Sequence, residues 1–248
     1  MLTDKSIGLI YPGAGDTELR DLGSWAREHG LLGPNFIFVT SNSDGSHALS
    51  SLEETANLET LSAAASALPW ACASVIWACT SGSFIYGFAR ARQQAGAIEE
   101  IVRAPATSAS LALARAAAFM GNEVEVLAPY DAKVSGLFVA FLQEAGVKVS
   151  KMTDLGAASA SESRLLDLER EITSHEARHG FSRLPLLVPD TAIDTLSRVA
   201  RLEHRFGRPV ITANQACIWD GLRLAGIAPV ISRVGLLFSQ HERSQDCI

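Results

Sequence analysis

Short apolar runs, each ended by a turn of small residues or proline and followed by a helical stretch, recur from one end of this chain to the other. Residues 7–11 end at Pro12-Gly13, residues 74–78 at Cys79-Thr80-Ser81-Gly82-Ser83, residues 124–128 at Pro129-Tyr130, and residues 184–188 at Pro189-Asp190-Thr191. Strands that alternate with helices in this way build parallel sheets, because two parallel neighbours need a crossover long enough to hold a helix. The order also repeats. Leu9-Ile10-Tyr11-Pro12-Gly13 parallels Val126-Leu127-Ala128-Pro129-Tyr130, Ile76-Trp77-Ala78-Cys79-Thr80 parallels Leu187-Val188-Pro189-Asp190-Thr191, and Pro105-Ala106-Thr107-Ser108 parallels Ile211-Thr212-Ala213-Asn214. The offset, roughly 110 residues, is far from a solenoid period.

The pattern predicts an α/β fold of two pseudo-twofold-related lobes, each a parallel sheet flanked by helices, with the active-site cleft between them. Residues 1–104 with 214–248 form the expected N-terminal lobe and 105–213 the C-terminal lobe. Cys79 and Asp190 then stand at equivalent positions on opposite walls. Helices are expected over 17–29, 51–67, 133–145 and 165–179, and from the turn at Asp190 to Phe206, with Ile101-Val102 opening a short extended piece.

At 248 residues and 48% hydrophobic, the chain can bury cores for both lobes. A net charge of −6 without any basic run argues against nucleic acid as a partner. No apolar stretch reaches the length of a membrane span, and the N-terminus enters a strand without a signal-peptide pattern. The four cysteines (Cys72, Cys79, Cys217 and Cys247) show neither metal-type spacing nor a disulfide framework, and the six histidines form no ligand motif. A cytoplasmic protein with no metal and no cofactor is the expectation, and exposed helices allow a homo-oligomer.

The Cys79 turn is the most informative stretch. It lies where a buried strand gives way to a helix, the edge at which open α/β sheets bind ligands. Free N–H groups at a helix N-terminus favour an anion and lower the pKa of a thiol among them. Cys79 is a candidate thiolate, and Thr80, Ser81, Gly82 and Ser83 are candidate anion donors; the competing reading is an inert buried cysteine. Tyr130 reads as a site residue or a turn aromatic, and Asn214 as a helix cap that also faces the cleft. Asp190 reads as a second acid/base, a ligand for a substrate cation, or an N-cap. Asp16 and Thr17 read as caps or ligand contacts. The polar segment 40–47 is a possible lid, with His47 solvated in it. His175, His179, His204 and His241 read as surface, and Trp70, Trp77 and Trp219 as core.

The Pro12 turn, the run Ala78-Cys79-Thr80-Ser81-Gly82-Ser83-Phe84, the Pro129-Tyr130 turn and Asn214-Gln215-Ala216 followed by Trp219 resemble the Asp/Glu racemase superfamily. The nearest branches are maleate cis-trans isomerase and arylmalonate decarboxylase, with a related branch in ectoine breakdown. The resemblance implies cofactor-free chemistry on a small carboxylate. Racemases of the superfamily use two cysteines, one per lobe. The first falls on Cys79 and the second on Asp190, counted back from Gly207-Arg208-Pro209, so the two-thiol pattern is broken here. An asparagine of the maleate isomerase pattern is likewise replaced near Gly15-Asp16. The resemblance assigns Cys79 and Asp190 to catalysis and Pro12, Gly13, Thr80, Ser81, Gly82, Tyr130, Thr191 and Asn214 to substrate binding. The leading expectation is an isomerase or racemase. A decarboxylase of a malonate-type acid and a binding protein that has lost catalysis are the alternatives.

Overall fold

The computed structural model describes residues 5–13, 17–31, 34–69 and 71–239. Ala14 to Asp16, Trp70, His241 and Cys247 lie outside the described residues. In the first half, β1 (Lys5–Pro12) leads through a 3-10 turn (Glu18–Asp21) into α1 (Leu22–Glu28) and then β2 (Pro34–Ser41). Helices α2 (Leu49–Thr55) and α3 (Leu58–Ser66) precede β3 (Cys72–Trp77). A single turn α4 (Ser81–Phe84), α5 (Gly87–Val102), β4 (Ala106–Ser108) and α6 (Ala109–Phe119) follow. The second half runs β5 (Glu123–Ala128), α7 (Ala132–Glu144), β6 (Lys148–Asp154), α8 (Ala160–Arg164), α9 (Leu168–His179) and β7 (Leu186–Val188). It closes with α10 (Val199–Phe206), β8 (Val210–Thr212), α11 (Ala213–Leu224) and the short α12 (Leu236–Ser239).

The strands form two four-stranded parallel sheets, ordered β2-β1-β3-β4 and β6-β5-β7-β8. The same order in both halves is the architecture that the sequence repeat predicts. The central strands are buried, as sheets with helices on both faces require. The lobe boundary at residue 104/105 shifts: Ala106–Ser108 pairs with β3, so residues expected to open the second lobe complete the first sheet. The chain crosses over only at α6.

Helices α6 and α11 form the seam. Each follows the last strand of its own sheet, capped by the side chain of Ser108 or Thr212, and the two pack on each other. Helix α11 also lies on β3, where a Cβ at Gly221 would run into Ile76. Only glycine permits that approach.

Local details depart from expectation for identifiable reasons. The segment 51–67 is two helices, because Asn57 caps α3 by accepting from the Glu59 N–H at 2.7 Å. Ile101 and Val102 finish α5 instead of starting a strand. Helix α10 begins only at Val199, so Asp190 caps no helix. His204 is exposed, but His175 is fully buried rather than on the surface. Its Nε2 lies 3.1 Å from Glu125 Oε2, which also pairs with buried Arg208 at 2.7 Å, and Lys151 reaches Oε1 at 3.2 Å.

This buried cluster yields a test of the second lobe. Burial pushes the Glu125 carboxyl up, but Arg208, His175 and Lys151 outweigh it and hold the group at about 2 against an ordinary 4.5. A depressed carboxylate contributes stability above its unfolded value and loses it as pH falls through the folded one. Stability should therefore fall between pH 4.5 and about 2, and Glu125→Gln should flatten that dependence. Glu125→Ala strands Arg208 without its partner and should cost about 3–5 kcal/mol in urea unfolding at neutral pH.

Candidate active site

The strand-end turns of the two lobes meet across the cleft and hold each other. The Asp190 N–H donates to Thr80 Oγ1 at 3.3 Å, and Thr191 Oγ1 donates to the Ala78 carbonyl at 2.9 Å. The segment after β2 crosses to the second lobe. His47 N donates to Ala158 O at 2.9 Å, Ala160 N donates to Gly45 O at 2.8 Å, and Ser46 and Ser159 form an antiparallel bridge. Beneath these contacts is a cavity of about 40 Å³ lined by Pro12, Cys79, Thr80, Ser81, Asp190 and Thr191, together with Tyr11, Ser43, His47 and Thr55. That volume holds about three waters.

Six of the ten expected site residues therefore share one cavity, with Cys79 and Asp190 both on it. Gly13 sits behind it, its N–H on the Ser41 carbonyl at 2.8 Å. Gly82 supports the thiol. Its N–H is hydrogen-bonded to the Cys79 sulfur, and a Cβ there would lie 3.0 Å from Sγ. Tyr130 is fully buried, and its Oη has no hydrogen-bond partner although the Thr80 and Ser81 hydroxyls are close to it. Burial, then the Asp190 and Cys79 charges, raise its pKa, so it is a phenol and a donor. Asn214 is turned away from the cleft. Its Nδ2 donates to Glu18 Oε1 at 2.6 Å and to Ile193 O at 3.0 Å, bracing the turn after Asp190. Ser83 is also withdrawn, its hydroxyl on the Cys79 and Thr80 carbonyls. Thr17 caps the 3-10 turn.

The thiol differs most from expectation. Burial pushes Cys79 up to about 12, the Asp190 charge adds to this, and the Gly82 N–H and Ser81 hydroxyl offset only part. One turn of helix does not outweigh complete removal from water. Burial therefore works against the thiolate that a helix N-terminus favours.

His47 is the residue that sequence reasoning missed. It is buried, packs edge-on against the Tyr130 ring, and places Nε2 3.5 Å from Asp190 Oδ2. Its loop is polar and reads as solvated; the signal that could have placed it is position, since the loop leaves a strand at the cleft edge of the sheet.

The family model for arylmalonate decarboxylase matches residues 45–238. No curated protein matches the chain. Among solved structures, a double mutant of arylmalonate decarboxylase in liganded form is similar with TM-score 0.80 and 24% identity, over 96% of this chain and 100% of that one. A mutant maleate cis-trans isomerase of Nocardia farcinica, carrying a covalently bound succinylcysteine intermediate, gives 0.82 and 19% over 96% and 99%. A maleate isomerase of Pseudomonas putida S16 with maleate gives 0.83 and 19% over 95% and 97%.

Asp190 has φ +95°, a strained conformation for any residue but glycine. Its Oδ1 accepts from the Ala192 N–H at 3.0 Å, and the cross-lobe bonds fix its backbone. At an ordinary position alanine is more stable than glycine. Here Asp190→Gly should be more stable than Asp190→Ala by about 1 kcal/mol, seen as a higher calorimetric midpoint. The reverse order would remove the strain from this account.

Proposed function

The chain belongs to the arylmalonate decarboxylase family, and from that premise we propose that it is a cofactor-free decarboxylase of a malonate-type acid, with Cys79 as proton donor. The observation that carries this reading is a buried thiol in one cavity with the Thr80 and Ser81 hydroxyls. Loss of CO2 from a malonate leaves the bonding pair on the α-carbon, delocalised into the remaining carboxylate as an enediolate. Thr80 and Ser81 line the cavity and supply hydroxyl donors for that charge, with the Tyr130 hydroxyl close to both. Thr80 Oγ1 accepts from Asp190 N, so its proton stays free to donate outward. Donors fixed in a water-poor site stabilise developing charge without having to reorganise. The Cys79 proton then goes to the α-carbon, giving the monoacid. The thiolate left behind rests on the Gly82 N–H and the Ser81 hydroxyl until solvent reprotonates it.

Burial that raises the thiol favours its protonated form, which suits a proton donor better than a proton acceptor. The isomerase or racemase reading is second. It is favoured by one observation: Asp190 and His47 face the cavity opposite Cys79 and can take a proton from the other side. The free, buried thiols Cys72, Cys79 and Cys217 suit a reducing compartment, and we place the enzyme in the cytoplasm.

Phenylmalonate and one enantiomer of 2-phenylpropionate, each incubated with the protein in heavy water, separate these readings. Decarboxylation predicts CO2 release with one α-deuteron incorporated, and a loss of about 10²–10⁴-fold in rate for Cys79→Ala. Inversion of 2-phenylpropionate without CO2 release from phenylmalonate would replace the decarboxylase with the isomerase. Full turnover by Cys79→Ala would end both.

A further inference from the structure

The wall opposite Cys79 depends on a residue borne by a loop of the other lobe. His47 Nδ1 lies 2.9 Å from the Ala157 carbonyl. A carbonyl oxygen only accepts, so Nδ1 carries the hydrogen. The other ring nitrogen, Nε2, is thereby the atom that faces Asp190 Oδ2 at 3.5 Å. Oδ2 is buried and has no hydrogen-bond partner, while Oδ1 is held by Ala192 N–H. The ring nitrogen thus stands beside the one carboxylate oxygen of Asp190 that nothing else holds. Distances of this length tighten when substrate fills such a site.

The loop that carries His47 also lines the site. Small-molecule pockets span about 300–1,000 Å³, and the cavity here is about 40 Å³. Outward movement of the loop that lines it would widen this cavity for an acid of the proposed class. Residues 42–47, outside any named strand or helix, are tied to the second lobe by the contacts of Gly45, Ser46 and His47 with residues 157–160. Opening that loop takes His47 away from Asp190, and closing it returns the ring.

We propose that His47 is a positioning residue that orients the Asp190 carboxylate, and that it does so only while its loop is latched to Ala157. The second wall of the site is then assembled by closure. The turnover part of the test rests on the proposed function; the labelling and spectroscopic parts do not.

Two variants separate latch from partner. The amide nitrogen of His47→Asn can take the place of Nδ1 and keep the Ala157 bond, but nothing in it replaces Nε2. His47→Ala loses both. Iodoacetamide labelling of Cys79, followed by peptide mapping, should be slow in the wild type and in His47→Asn, and about ten-fold faster in His47→Ala. Equal rates in all three would overturn the latch. Imidazole spectra of ¹⁵N-labelled protein should show a hydrogen on His47 Nδ1, with the His47 signals moved by Asp190→Asn more than those of any other histidine. Unmoved His47 signals would overturn the pairing. With phenylmalonate, His47→Asn and Asp190→Asn should each lower kcat about ten-fold with KM changed less than about threefold, and the double variant should fall no further. Additive losses would assign His47 a merely structural role. A wild type inert to phenylmalonate would end the decarboxylase reading while the labelling and spectral results still decide this one.

Discussion

The two hydrogen bonds between the turns after β3 and β7 are what the site depends on. Asp190 N–H reaches Thr80 Oγ1, and Thr191 Oγ1 reaches the Ala78 carbonyl. These pairs are 110 and 113 residues apart, and His47 with Ala157 is again 110 apart. Bonds between near-equivalent residues of a duplicated chain are those expected close to a pseudo-twofold axis, by the same logic that governs twofold interfaces. Each is worth only about 1 kcal/mol. Together they hold Asp190 in a backbone conformation that it would not adopt alone, and they fix the width of the cavity between it and Cys79.

Burial sets the protonation states there. Burial raises both the thiol and the phenol, which favours their protonated forms. The charged groups of the fold are handled elsewhere. Glu125 is neutralised by Arg208 inside the second lobe, and Asp220 of α11 by Arg115 of α6 at the seam. Glu18, raised by burial and held by the Thr195 and Leu196 N–H groups and by Asn214, braces the turn beyond Asp190. The first lobe thus offers the cysteine and the second the carboxylate. A nearly symmetric frame carries an asymmetric pair of walls.

The duplicated strand-and-turn pattern was enough to derive two parallel sheets and the opposition of Cys79 and Asp190; the strand order within each sheet came from the structure. Strand ends in parallel sheets point the same way, so residues in the terminal turns must share an edge. That rule also brought Pro12, Thr80, Ser81 and Thr191 to the cavity. It could not say which way a side chain turns. Ser83 and Asn214 occupy the right turns but spend their hydrogen bonds inward, on the Cys79 and Thr80 carbonyls and on Glu18. His47 lies in a polar loop that any composition argument leaves in solvent, and the Ser46–Ser159 bridge pulls it under cover.

By itself the sequence determined the backbone architecture, because alternating apolar periods and turn residues are local signals that parallel pairing converts into one topology. It also determined that a single thiol would face a carboxylate. Tertiary structure decided what those groups are chemically. Whether Cys79 is a thiolate or a thiol depends on how completely neighbouring elements exclude water. Whether Asp190 stands alone or beside an imidazole depends on a loop from the other lobe. Both are sums over contacts distant in the chain, and no local pattern records them.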